Sequence, residues 1–453
     1  MENNEKTQIA KRIPKRILNS LINSLSAGVV PRSGAPYIAI GRGEEVEAML
    51  SDLEAVADGG SSLRFLVGRN GSGKSFLLQL LRGYALEKGF VTADADLSPE
   101  RRLCGTNGGG IATYRELIRN LSCKTSPDGG ALPVIISGWL SRKQTELAAE
   151  GIPPESEEFA QRMRKEVFSV GASLENSVGG FDFASVLYKY YSATVNGNDE
   201  LRSSCLRWFR GEFRTRSESR SQLGVGAIID DENWYDYLKL LAVFCQRIGY
   251  MGMTVYVDEC VNLYKITNRI SRENNYEKIL SIFNDTLQGK APYLGFVFVG
   301  TPQFLEDTRR GLFSYEALRS RLADCSIVSG GFRNLSGPII RLVRLTDSEL
   351  YALMSRLNFL FGEYSGEAPR ITAEQMQEFL TLCLSRAGAD TLITPREIIR
   401  SYLTLLQLMK GNPTASFRDL LSEDSVSRLA AAPTHSEESE NPDTSTDIGD
   451  FEL

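Results

Sequence analysis

One string in the chain leaves little freedom for the fold around it. Gly68-Arg69-Asn70-Gly71-Ser72-Gly73-Lys74-Ser75 matches G-x-x-x-x-G-K-[ST] in full. It lies between a strand-like run, Leu63 to Val67, and the helically spaced Phe76, Leu77, Leu80 and Leu81. Glycines at 68, 71 and 73 let the main chain wrap a polyanion. The amides of Asn70, Ser72 and the helix start then face inward, with the positive end of the helix dipole behind them. Lys74 supplies a point charge to the β and γ phosphates of a nucleotide, and the Ser75 hydroxyl is placed to ligate Mg²⁺. A strand, a tight loop and a helix in this order imply an α/β protein with a parallel sheet.

Such a loop needs a second acid, and Thr254-Val255-Tyr256-Val257-Asp258-Glu259 supplies one at the end of a strand. Asp258 is the expected metal ligand and Glu259 the expected base for a water attacking the γ-phosphate. The bland alternative is a strand that stops at a solvated acidic pair. One strand later, Leu294 to Val299 runs into Gly300-Thr301, where Thr301 either orients the water or caps the turn opened by Pro302. Arg319 and Arg321 follow near a helix end; each is a candidate finger to a neighbouring protomer's γ-phosphate or an ordinary surface arginine. In Thr394-Pro395-Arg396-Glu397, helix capping accounts for every residue except Arg396, which suits a side chain reaching from a lid towards nucleotide.

Composition removes several other chemistries. The one histidine, His435, sits in a polar tail, which speaks against a Ser-His-Asp triad, a Cys-His pair and a His-ligated zinc. Seven cysteines are scattered singly, with no C-x-x-C, and read as reduced core residues of a cytoplasmic protein. The longest apolar run, Tyr293 to Val299, is far short of the roughly 20 residues of a membrane span, so no membrane association is expected. Ile17, Leu18, Leu21, Ile22 and Leu25 share one helix face and predict a packed amphipathic helix rather than a signal peptide.

The 453 residues divide into an N-terminal helical segment (1–35), a nucleotide-binding core (36–345), a helical lid (346–428) and an acidic tail (429–453). The core carries a mainly helical insertion over about 114–248. Further strands are expected at Phe90 to Ala95 and Ile339 to Leu345, and capping boxes at Thr346/Glu349, Thr372/Gln375 and Thr394/Glu397. The tail holds seven acids and no Lys or Arg, so without it the net charge moves from −6 to +1. It is too polar to order itself, and its Ile448, Phe451 and Leu453 are either a docking peptide or part of a solubilising tail. At helical pitch Arg207, Arg210 and Arg214 share one face, suited to a phosphate backbone, to solvent or to another subunit.

Taken in order, Gly41-Arg42-Gly43-Glu44-Glu45, the glycine-rich loop, Asp258-Glu259, Gly300-Thr301, Leu318-Arg319-Ser320-Arg321 and Thr394-Pro395-Arg396 resemble the AAA+ ATPases of the origin-recognition and STAND-like branch. The segments Ala93 to Glu100, Leu206 to Glu212, Leu223-Gly224-Val225 and Gly249-Tyr250-Met251-Gly252 look more particularly like the BREX-system ATP-binding domain family of bacterial anti-phage defence. That resemblance covers about residues 15 to 425. It implies a Mg²⁺-dependent ATPase with ATP bound between protomers of a homo-oligomer, Gly41 and Arg42 beside the adenine and Arg396 as a lid arginine. It also implies action on DNA beside a partner helicase and other defence proteins. The alternative is a switch that holds ATP, turns over little and sets partner affinity.

Overall fold

The structure is a computed structural model that describes residues 13–105, 108–172, 179–323, 334–385 and 394–421. The acidic tail and His435 lie outside the described residues. Five strands form the sheet: β1 Ser61–Gly68, β2 Val91–Asp96, β3 Met253–Asp258, β4 Leu294–Gly300 and β5 Ile339–Leu342. Their order is β2-β3-β4-β1-β5, and every neighbouring pair is parallel. The interior strands are mostly apolar runs, Leu294–Gly300 without a polar side chain and Ser61–Gly68 interrupted by Arg64, as burial on both faces demands. β4 is buried throughout, and Phe298 stacks on Phe65 of β1 with ring centroids 5.6 Å apart.

Parallel strands require crossovers, and helices provide them. α1 Lys15–Ser26 and α2 Gly43–Ala57 precede β1, and α3 Lys74–Glu87 joins β1 to β2. Between β2 and β3 come α4 Gly109–Arg119, α5 Leu132–Ala149, α6 Glu157–Ala172, α7 Gly180–Val195, α8 Asp199–Phe209, α9 Arg216–Leu223 and α10 Trp234–Arg247. These helices share one core with the sheet: Trp139, Trp208, Trp234 and Phe244 belong to the same buried cluster as Val91, Val255 and Phe296. The insertion is therefore built onto one face of the sheet. The opposite face carries α3, whose Leu77, Leu80 and Leu81 pack with Leu66, Val299 and Ile340.

Further helices are α11 Arg269–Leu287, α12 Glu316–Leu322, α13 Asp347–Ser365, α14 Ala373–Leu384 and α15 Pro395–Gly411. All three expected capping boxes are present, at Thr346, Thr372 and Thr394. Leu18, Leu21, Ile22 and Leu25 of α1 are buried with Leu353, Leu357, Phe379, Tyr402 and Leu406 of α13 to α15. At about 1.5–3 kcal/mol per buried side chain, this face binds the N-terminal helix into the C-terminal helical unit. Among the described residues no helix is long and apolar enough to cross a membrane. Six cysteines among the described residues are free, and all but Cys104 are buried.

A candidate phosphate and metal site

Open parallel sheets bind ligands beyond the carboxyl ends of their strands. Here β1 ends at Gly68, and the loop 69–73 turns directly into α3. Gly71 and Gly73 have φ of 77° and 89°, the left-handed region where side chains are strained. Gly71 is constrained a second time, because a Cβ there would stand 2.5 Å from Cγ2 of Thr394. Lys74 Nζ donates to the carbonyls of Gly68 at 2.9 Å and Arg69 at 3.1 Å, so the cation sits at the rim of its own loop. Burial pushes its pKa down, while Asp258 and Glu259 push it up.

The register brings the acid to the same edge. Val67 of β1 faces Gly300 of β4, and Phe298 of β4 faces Val257 of β3. Asp258 thus ends its strand level with the loop, and Ser75 Oγ donates to its Oδ2 at 3.2 Å. The Asp258 carboxyl is pushed up to about 6, chiefly by burial and further by the charges of Glu259 and Asp96; hydrogen bonds from the Glu259 N–H and Ser75 oppose the rise. A hydroxyl beside a half-buried carboxylate is a hard-oxygen donor set of the kind Mg²⁺ prefers, and a cation would relieve the desolvation. Glu259 follows with φ of 56° and an exposed side chain. That conformation costs a non-glycine residue about 1–3 kcal/mol, and the 2.7 Å bond from its N–H to Asp258 Oδ1 helps hold it.

A carboxyl with a raised folded pKa binds its proton more readily in the folded state than in the unfolded state. Acidification from above pH 6 towards 4 therefore adds stability to the metal-free chain through Asp258. Denaturant unfolding of the chain and of Asp258→Asn across this range should show that increment only in the parent. Parallel pH profiles in the two chains would exclude it.

Thr301 caps the short helix Pro302–Glu306, its Oγ1 accepting from the Phe304 N–H at 3.4 Å. The cap uses the hydroxyl as acceptor and leaves its hydrogen to donate. Arg319 and Arg321 are both exposed on α12; Arg321 donates to the Ala317 carbonyl at 2.6 Å, whereas the Arg319 side chain makes no hydrogen bond or ion pair among the described residues. Arg396 is exposed on the first turn of α15, the helix whose cap, Thr394, lies against Gly71.

One placement adds to the sequence reading and one overturns it. Arg42 is 4 % exposed and projects into the protein, donating to the carbonyls of Ser72 and Val343 at 2.8 Å each and to Glu45 at 3.3 Å. Gly41 packs against Glu349 of α13. The basic stripe is not one helical face: α8 stops at Phe209, Gly211 takes φ of 68°, and Arg214 lies beyond it in the connection to α9. Arg207 is drawn into that corner, 3.1 Å from Glu218 and 4.9 Å above the Phe213 ring. Arg214 stays exposed, and Arg210 is half-buried.

A family model for the BREX system ATP-binding protein BrxC/D matches residues 13–425. The chain belongs to that family. No curated protein matches it. The BREX family match takes in the glycine-rich loop, the acidic pair, the insertion and the C-terminal helices as one unit.

Proposed function

We propose that this chain is an AAA+ type ATPase of BREX anti-phage defence that binds ATP with Mg²⁺ and hydrolyses it between protomers of a homo-oligomer. The carrying observation is the 3.2 Å contact between Ser75 and Asp258, which joins the loop's hydroxyl to the acid strand at one sheet edge. In this reading Lys74 exchanges its two loop carbonyls for the β and γ phosphate oxygens. Ser75 and Asp258 would hold the metal, which would supply charge neutralisation to the bound phosphates. Glu259 takes a proton from water as the water oxygen bonds to the γ-phosphorus and the bond to the ADP oxygen breaks. Thr301 donates to the same water, and Arg396 reaches the nucleotide from the helical unit. Release of phosphate with and without duplex DNA tests the reading. Tight nucleotide binding with no release in either condition would establish the switch instead.

Arg319 or Arg321 then serves the next protomer. An arginine supplied across an interface is worth roughly 10³ to 10⁵ in rate. The double variant Arg319→Ala/Arg321→Ala and the variant Lys74→Ala should each be inactive alone and recover part of the activity when mixed, since a mixed interface pairs an intact loop with an intact finger. No recovery on mixing, with assembly intact, would remove the trans finger.

DNA and a partner helicase complete the proposal, with Arg207, Arg210 and Arg214 meeting the phosphate backbone. Because Arg207 is paired with Glu218, Arg210 and Arg214 carry the expectation. Reversing both to Glu should lower the salt slope of DNA binding by about one for each phosphate no longer neutralised. An unchanged slope takes this corner out of the interface.

A further inference from the structure

The amides of a phosphate loop face its anion, and its carbonyls need other donors; Lys74 takes those of Gly68 and Arg69. Arg42 holds the carbonyl of Ser72 and, with the same terminal nitrogen, the carbonyl of Val343. Val343 is the first residue after β5, in the connection 343–346 that leads into α13 and the C-terminal helical unit. Glu45, itself 1 % exposed, balances the buried guanidinium at 3.3 Å. Two tight contacts run beside this bridge. A Cβ on Gly41 would collide with the carboxylate of Glu349, which closes the capping box of α13, and a Cβ on Gly71 would collide with Thr394, which caps α15.

We propose that Arg42 is a positioning residue that transmits occupancy of the phosphate loop to the C-terminal helical unit, through its shared hold on the Ser72 and Val343 carbonyls. The inference rests on the ATP reading above and adds to it a route for the response. A planar guanidinium is a rigid fork, and it satisfies both carbonyls and Glu45 in only a narrow range of relative positions. When an anion draws the loop inward, the Ser72 carbonyl moves, and the Val343 carbonyl must follow or give up its donor. The bond to the Ser72 carbonyl is buried and the bond to the Val343 carbonyl partly so, and a shielded carbonyl that loses its donor costs free energy, so the two states of the loop favour different positions of the connection. Differential contact of this kind is what a ligand needs to shift a conformational equilibrium. Thr394 against Gly71 gives the third helix of the unit a contact with the same loop.

Hydrogen–deuterium exchange on the full chain, with and without a non-hydrolysable ATP analogue and Mg²⁺, tests this. In the parent chain, protection should appear at 68–76 together with a change at 343–350. In Arg42→Lys, whose ammonium falls about one bond short of the guanidinium nitrogens and so does not reach both carbonyls and Glu45 together, protection at 68–76 should persist with affinity weakened less than about tenfold, while the change at 343–350 disappears. Val343→Gly loosens the connection while keeping the carbonyl that Arg42 holds, at a residue that is 57 % exposed; it should cut that change by roughly half or more and serves if Arg42→Lys does not fold. A full response at 343–350 in either variant overturns the coupling. So does loss of protection at both segments in Arg42→Lys, which would make Arg42 a binding residue. A parent chain with no protection at 68–76 defeats the ATP reading itself, whereas protection there that never reaches 343–350 defeats only the coupling.

Discussion

Lys74→Ala is expected to lower ATP affinity and turnover together, by on the order of 10²-fold or more in turnover, the scale of losing one preorganised donor to a developing charge. The side chain has two loop carbonyls as partners, and anionic oxygens are stronger acceptors for an ammonium than neutral carbonyls. Burial already disfavours the charged form, with Asp258 and Glu259 opposing it. A polyanion placed in the loop removes that tension, and part of its binding free energy comes from doing so. Alanine deletes the charge and its bonds to the two loop carbonyls, while the left-handed turns at Gly71 and Gly73 do not depend on the side chain. Equilibrium binding of a fluorescent ATP analogue and steady-state phosphate release measure the two losses. Hydrolysis at the parent rate in Lys74→Ala would mean the nucleotide binds elsewhere.

Glu259→Gln is expected to separate the two quantities that Lys74→Ala lowers together. Binding should persist, because Lys74, Ser75 and Asp258 hold the phosphates and metal, and the main chain of Glu259 still donates to Asp258 through its N–H. Turnover should fall by about 10² to 10⁴, the usual worth of a general base, because an amide does not accept the proton of the attacking water. ATP should therefore accumulate on the protein. The substitution keeps shape and side-chain length, so the left-handed backbone at 259 is equally strained before and after. Binding and turnover falling in parallel would place Glu259 in the ligand shell rather than in proton transfer.

Where pattern is local, the sequence is legible. Period, β-branched content and glycine punctuation locate the strands, and the three expected capping boxes, each a pattern spanning four residues, fall where Thr and Glu or Gln announce them, while a fourth, Ser416 with Asp419, goes unannounced. The acidic pair is visible because a strand run stops at it. What escapes depends on partners far away in the chain or on backbone conformation. Family resemblance alone speaks for Arg42, and its partners are main-chain carbonyls 30 and 301 residues away, which leave no mark on side-chain identity. The arginine stripe assumes an unbroken helix, but Gly211 in the left-handed region lies two residues beyond its end at Phe209. Glu259 has a positive φ that no residue type signals. The shared core of α1 with α13 to α15 joins the two ends of the described chain, and amphipathic spacing announces only that α1 packs somewhere.

A single-turnover experiment bears most directly on the central claim. The purified chain is mixed in excess with γ-labelled ATP and Mg²⁺, and free and bound phosphate are followed beside Glu259→Gln. The account requires Mg²⁺-dependent release by the parent chain and, in the variant, label that stays bound as intact ATP. Equal release from both proteins, or no ATP retained by either, would contradict it.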